Sequence, residues 1–351
     1  MIERFAENPL ITPDQVAPTS PELEVWRVFN AGATVVDGKT VLLMRVAERP
    51  IPEPGTMSTV FMDPDRPGEY RTMRVREDDP DLDVFDPRGV FRYKGHPYLF
   101  CISHLRTAVS EDGRHFDVSD TPAMLPEEDY ECYGLEDPRI VFLDGWYYVN
   151  YSAIAPAGIT TALARTQDFI SFERLGIIFA PDNKDVTIFP EKVGGRYGCL
   201  HRPSIADFCE PSIWWAASDD LVSWGDHRLV MAPREDAWDS GRVGCGAYPI
   251  RTPEGWLEIY HGADPDFRYC LGAALLDLEE PWRVLARSRE PIMEPGAPYE
   301  MEGFFPNVIF QNGLVELDDG TVDLYYGGAD TTVCGARMNV DAVLAMLASE
   351  G

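Results

Sequence analysis

The sequence predicts an all-β fold, a five-bladed β-propeller with a short C-terminal helix. Three observations predict it. A phrase of turn residue, short apolar run, Asp-Gly or Gly-Gly, and aromatic-rich run recurs six times, about 50 to 60 residues apart. Each copy reads as a β-hairpin, and a fixed long period of β units is the signature of radial repetition. The 29 Gly and 29 Pro are spread through the chain, as many turns require. Only the tail from Asn339, NVDAVLAMLASEG, has apolar residues at helical spacing behind an Asn start.

The elements follow in order. Residues 1–28 are Pro-rich and are expected to strap the propeller. The first hairpin is NAGATVVDGKTVLLMRV from Asn30. The charged, Pro-rich stretch 48–83 is expected as a loop over one face. Further hairpins start at Asp86 (DPRGVFRYKGHPYLFCISH), Asp137 (DPRIVFLDGWYYVNYSA) and Phe189 (FPEKVGGRYGCLHRPS). The last two start at Ala247 and Pro306. Small residues, a polar turn with Asp and then an aromatic recur in LRTAVSEDGRHF from Leu105, TALARTQDFISF from Thr161 and WWAASDDLVSW from Trp214. These supply third and fourth strands. Pairing of the first and last units closes the ring and favours five blades over six. Residues 1–351 thus form one domain, with strap 1–28 and helical tail 339–351. In such a ring Asp86, Asp137, Glu191 and Lys192 open hairpins, Arg202, His261 and Asp330 close them, and all converge on one mouth.

The bulk numbers exclude several functions. A net charge of −29 opposes a nucleic-acid or anionic-membrane partner. An anionic substrate needs a local basic pocket against that field. The start lacks an apolar signal region and no run approaches the length of a membrane span, so a cytoplasmic location is expected. Seven Cys without a CxxC pair read as reduced, buried thiols, and no metal is expected. No GxGxxG, P-loop, GxSxG or HExxH occurs.

Two constellations carry chemistry. In YGLEDPRI, Glu136 and Asp137 are adjacent carboxylates before a strand. Strand neighbours face opposite sides, so only one is expected in the mouth, with Arg139 on the face of Asp137. Asp-Pro-Arg is also a plain turn motif, and it recurs at Asp86-Pro87-Arg88. The second constellation is Lys192, His201 and Arg202, which with Arg242 and His261 form a candidate anion pocket. His201 and Arg202 are neighbours and point apart unless a bulge intervenes. Ordinary ion pairing with some of the 59 acidic residues is the competing explanation. The aromatics Tyr133, Trp214, Trp215, Trp238, Tyr260, Tyr269, Tyr325 and Tyr326 are candidates for sugar stacking or for the core.

The phrases VFNAGATVVDGKTVLLMRVAERP, GLEDPRIVFLDGWYYVNYSA, NKDVTIFPEKVGGRYGCLHRPS, EGWLEIYHGAD and YCLGAALLDLEEPWRV resemble glycoside hydrolase family 130. The resemblance runs from Asn8 to about Arg337. It implies a five-bladed propeller and an inverting β-mannoside phosphorylase, which uses phosphate as co-substrate and releases α-mannose 1-phosphate. A minority of the family are β-mannosidases. By the same resemblance Asp137 is the proton donor, acting through a hydroxyl of the bound mannose. Asn30, Arg45, Arg242 and Asp330 line the mannose site. Arg202 and His261 hold phosphate, with Lys192 and His201 beside them. Where some phosphorylases carry Arg, this chain has Glu191, a candidate base for an inverting β-1,2-mannosidase. A propeller that only binds glycans is the third reading. The implied partners are a mannose-containing oligosaccharide and phosphate, with no cofactor; the linkage and the oligomeric state stay open.

Overall fold

The computed structural model describes residues 1–350 apart from 64, 87, 88 and 205–209, and only the backbone of Phe85 and Asp86. The Asp86-Pro87-Arg88 repeat and Cys209 therefore lie outside the described residues.

The fold is all-β, and most of its strands form five antiparallel units of four. The first unit joins Leu23–Val36, Lys39–Pro50, Ile102–Ser110 and Asp117–Val118. The second runs Gly134–Leu143, Trp146–Ala155, Gly158–Thr166 and Glu173–Phe179. A parallel pairing of Gly134 with Ser103 merges these two into one sheet. The third unit is Asn183–Ile188, Tyr197–Pro203, Ile213–Ser218 and Trp224–Met231. The fourth is Arg242–Gly244, Trp256–Ala263, Tyr269–Leu276 and Val284–Arg287. The fifth is Ile309–Glu316, Thr321–Gly328 and Thr332–Asn339, completed by Ile2–Arg4 from the other end of the chain.

The Asp-containing phrases after the third strands have a physical cause. Ser110, Thr166 and Ser218 end those strands, and the aspartates two residues on accept backbone N–H groups. Asp112 takes those of Arg114 and His115, Asp168 those of Ile170 and Ser171, Asp220 those of Val222 and Ser223. An Asp side chain that satisfies a turn in this way lets the third strand fold back tightly into the fourth.

Residues 48–83 are not one loop. Thr56–Met62 and Tyr70–Arg76 pair as a hairpin, because TMSTVFM is β-branched and aromatic and the charges of YRTMRVR face solvent. Arg71 and Arg74 pair there with Asp63 and Glu53. The hairpin expected from Asp86 joins a separate three-stranded sheet. The tail is helical over Val340–Glu350. Asn339, at the end of the preceding strand, caps it: its Oδ1 accepts the Ala342 N–H at 2.8 Å. Val343 and Leu347, one turn apart, bury its inner face.

The core lies between neighbouring units. Phe189, Trp215 and Trp256 meet edge to face between the third and fourth. Leu257, Ile309, Leu324 and Tyr326 fill the space between the fourth and fifth. Trp215, Tyr260, Tyr325 and Tyr326 are thus core residues, not sugar platforms. The six described cysteines are buried and free. Among the described residues no helix is long and apolar enough to cross a membrane.

Candidate active site

The first strands of three units build the site by one device. Each ladder slips near its start or middle, between Phe29 and Gly32 (after an earlier slip between Val25 and Arg27), between Glu136 and Arg139, and between Lys184 and Thr187. A bulge leaves a residue unpaired and re-aims its side chain. At each slip stands an Asn or Asp in the left-handed region: Asn30 at φ 47°, Asp137 at 53° and Asp185 at 52°. Short Asx side chains tolerate that conformation best after glycine.

The result is a cavity of about 140 Å³ with an acidic wall and a basic wall. The acidic wall is Glu136, Asp137 and Asp330. Asp137 Oδ1 accepts hydrogen bonds from Asn30 Nδ2 at 2.9 Å and Arg45 Nη1 at 3.1 Å. Arg45 Nη2 donates to Glu136 Oε1 at 2.5 Å, and its Nε to Ser103 Oγ at 3.1 Å. Both adjacent carboxylates therefore reach the same guanidinium. The expectation that only one faces the mouth is corrected, because the bulge breaks the alternation. A Cβ on Gly327 would overlap the Asn30 amide, so glycine is required there.

Burial works to raise the Asp137 carboxyl, but Arg45, Lys184, the Asn30 hydrogen bond and Arg139 outweigh it and hold it below its ordinary value. Asp330 shifts the other way. Burial lifts it to about 6, against the pull of Arg27 and Arg45, with Asp137 and Glu136 adding to the rise. Burial also acts on Arg45, yet its two carboxylates keep its proton bound more tightly than usual.

The basic wall is Lys184, Arg202 and Arg242. Lys184 and Arg202 face each other across the ladder. Arg242 Nη1 donates to the Tyr269 hydroxyl at 3.1 Å. His261 lies behind this wall, fully buried, with Nε2 3.5 Å from Arg202 Nη1 and 3.3 Å from Asp185 Oδ2. Burial keeps it neutral and lowers it to about 4 despite Asp185. A Cβ on Gly244 would overlap both the imidazole and the Asp185 carboxylate.

Of the predicted site residues, the structure brings Asn30, Arg45, Asp137, Arg202, Arg242 and Asp330 to one cavity, with His261 directly behind. It does not bring Glu191, Lys192 or His201. The hairpin read from Phe189 actually begins at Asn183, so Phe189–Arg196 is its remote turn. Glu191 is half-exposed there and bonded to Arg251 at 2.6 Å, and the exposed Lys192 covers the Tyr197 ring. At about 3.3 Å per residue that turn lies on the order of 15–20 Å from Lys184. His201 points away from Arg202, stacked on Phe179 and held between Asn183 and His227. Burial and His227 push it down to about 3. These three expectations are corrected. Sequence reasoning missed Lys184, Asp185 and the pocket position of Glu136. The signal for Lys184 and Asp185 is the β-branched run NKDVTI, which starts a strand rather than preceding one.

A larger cavity, about 280 Å³, lies beside Glu48, Tyr70 and His104. Of its two carboxylates, Glu22 and Glu48, the buried Glu48 is already engaged by the Thr19 N–H and hydroxyl, and no Lys or Arg is among the described residues that line it. The chemistry belongs to the smaller one. Among the described residues no cluster suited to a metal occurs.

A buried carboxyl and three cationic side chains lining one small polar cavity on an all-β scaffold can serve glycosyl transfer, the one as acid and the others as an anion site. The chain belongs to glycoside hydrolase family 130, whose profile, described as beta-1,4-mannooligosaccharide phosphorylase, matches residues 72–349. It is 44% identical to beta-1,2-mannobiose phosphorylase of Listeria innocua over 99% of both chains. It is 46% identical to 1,2-beta-oligomannan phosphorylase of a Thermoanaerobacter species, over 66% of this chain and 77% of that one. The solved Listeria innocua beta-1,2-mannobiose phosphorylase, in complex with beta-1,2-mannobiose, superposes with a TM-score of 0.94 at 43% identity over 99% of each chain. The activity class is that of a glycoside phosphorylase.

Proposed function

We propose that this chain is an inverting β-1,2-mannoside phosphorylase that cleaves β-1,2-mannobiose or short β-1,2-oligomannosides with inorganic phosphate, releasing α-mannose 1-phosphate. The five four-stranded units are the blades of one propeller, closed where Ile2–Arg4 joins the last unit. The whole chain is one catalytic domain. The observation that carries the reading is that Lys184, Arg202 and Arg242 line one cavity together with Asp137. The substrate linkage rests on the full-length likeness to the Listeria innocua enzyme.

Asn30, Arg45, Arg242 and Asp330 bind the mannose that is transferred. Arg202 and Lys184 hold phosphate, with His261 supporting Arg202 from behind. Phosphate attacks the anomeric carbon from the basic wall while Asp137 sends a proton, through a mannose hydroxyl, to the departing glycosidic oxygen. A single displacement inverts the centre. The surrounding cations, Lys184 among them, hold Asp137 ionised. Bound phosphate offsets the Lys184 share of that field and so favours protonation of the acid as phosphate enters. The fixed cations of the basic wall stabilise the charge on the attacking phosphate.

The hydrolytic alternative loses its base, since Glu191 sits on the remote turn. Incubating β-1,2-mannobiose with and without phosphate tests the reading. Phosphate-dependent mannose 1-phosphate is expected; free mannose at the same rate without phosphate would overturn it.

A further inference from the structure

Asp185 belongs to neither wall, yet both depend on it. It is 2% exposed and does not line the cavity. Its Oδ2 lies 2.8 Å from Arg202 Nη2 and 3.3 Å from His261 Nε2. Its Oδ1 accepts from Arg139 Nη2 at 3.3 Å. Arg139 in turn grips three carbonyl oxygens: Gly246 at 2.7 Å, Cys245 at 2.8 Å and Asp137 at 3.3 Å. One buried carboxylate therefore fastens the arginine of the basic wall to the arginine beneath the acid's own turn. Burial favours the neutral form of Asp185, but Arg202, His261 and Arg139 hold it ionised, well below the ordinary carboxyl range.

We propose that Asp185 is a positioning residue that sets the orientation of Arg202 for phosphate and ties it, through Arg139, to the backbone of Asp137. The inference rests on the reading of Arg202 as a phosphate ligand. Oδ1 accepts the Arg139 hydrogen bond, whereas Oδ2 holds Arg202 and His261 by charge and closeness without an aligned hydrogen bond, so both oxygens face cationic or N–H groups. A carboxylate supplies two acceptors; an asparagine supplies one acceptor and one donor. In Asp185→Asn the amide N–H₂ must face either Arg139 or the Arg202–His261 side, donor against donor. Whichever side loses, the two arginines are no longer fixed to one group. Replacing Asp185 also removes a negative charge near the phosphate site, which alone favours phosphate. The orientation effect is expected to win, because among the described residues Asp185 is the carboxylate paired with Arg202, and the Arg202 Nε has no partner of its own.

The test is a double-mutant cycle on phosphorolysis of β-1,2-mannobiose. Asp185→Asn is expected to raise the KM for phosphate at least about tenfold while the KM for mannobiose moves less than about threefold. In the Arg202→Ala background the same change is expected to add less than about twofold, since its target is gone. The double variant loses a buried cation together with its partner, so it keeps the charge balance. If Asp185→Asn alone does not fold, comparing the double variant with Arg202→Ala still decides. A full, independent loss in that background overturns the inference, as does a single variant with both KM values unchanged or raised equally. If Arg202→Ala itself leaves the phosphate KM unchanged, the phosphate reading of Arg202 fails instead.

Discussion

The two walls of the cavity hold their charges by different means. On the acidic side three carboxylates, Glu136, Asp137 and Asp330, crowd around Arg45, and they do not share it equally. Asp137 is bonded to Arg45 and Asn30 and stays ionised, whereas Asp330 feels Arg45 only through space and takes a proton near pH 6. On the basic side Arg202 and His261 lean on a single hidden carboxylate, Asp185, and Arg242 leans on the Tyr269 hydroxyl. The acidic wall is thus tuned by crowding and the basic wall by scaffolding. Such a division suits a reaction in which one wall moves a proton and the other holds an anion and part of the sugar still.

The largest effect is expected from breaking the acidic wall. Asp137→Asn keeps the shape but removes the transferable proton, and turnover should fall at least about a hundredfold. Steady-state rates with mannobiose measure this; near-normal turnover would take Asp137 out of the chemistry.

Breaking the basic wall comes next. Arg202→Ala removes a charge-assisted contact of roughly 1.5–3 kcal/mol, so the KM for phosphate should rise about ten- to a hundredfold. The KM for mannobiose should change less. An effect confined to the sugar would move Arg202 to the other half of the site.

Asp330 sharpens the comparison through stability. Its folded pKa of about 6 lies above the ordinary carboxyl value of 3.8, so the native state binds the proton more tightly than the unfolded chain. Between those values, stability falls as pH rises. Above about pH 6 the carboxylate is ionised in both states and its full cost is present. Asp330→Asn should then melt higher than the parent at pH 7.5, by up to about 2–3 kcal/mol, and the gain should vanish below about pH 4. Melting curves at the two pH values check this, and a gain that persists in acid would exclude titration as its source.

The smallest effect is expected at Glu191. Its carboxyl pairs with Arg251 on an exposed turn, and exposed pairs contribute about 0–1 kcal/mol. Glu191→Gln should leave phosphorolysis within about twofold. Loss of phosphate-independent mannose release in this variant would restore Glu191 as a hydrolytic base.

The strands were legible because turns write themselves into composition. Gly38, Gly95 and Gly145 take left-handed conformations at hairpin turns, and the Asp at the third-to-fourth-strand turns bonds backbone N–H groups. The bulges were not legible. A one-residue slip leaves no compositional mark, yet it turned Glu136 and Asp137 to the same arginine. Strand starts were equally hard to see. Lys184 and Lys192 stand in one stretch, and only the register with Arg202 decides which reaches the cavity. Asp185 was invisible for a further reason: its importance comes from Arg139 and His261, which are distant in sequence.

The pairing of Ile2–Arg4 with Ala336–Met338 also fixes when the molecule can be finished. Asn8 bonds both the N–H and the carbonyl of Gly335, across 327 residues. During synthesis Ile2–Arg4 must wait, unpaired, until the strand Thr332–Asn339 has been made. Sheets of the second, third and fourth units are complete within their own stretches and can form meanwhile. The outermost strand of the fifth unit cannot. Its arrival is a loop closure over almost the entire polypeptide, the costliest contact in sequence separation and so among the last made. Ile2–Arg4 therefore act as the latch on a sheet assembled in their absence.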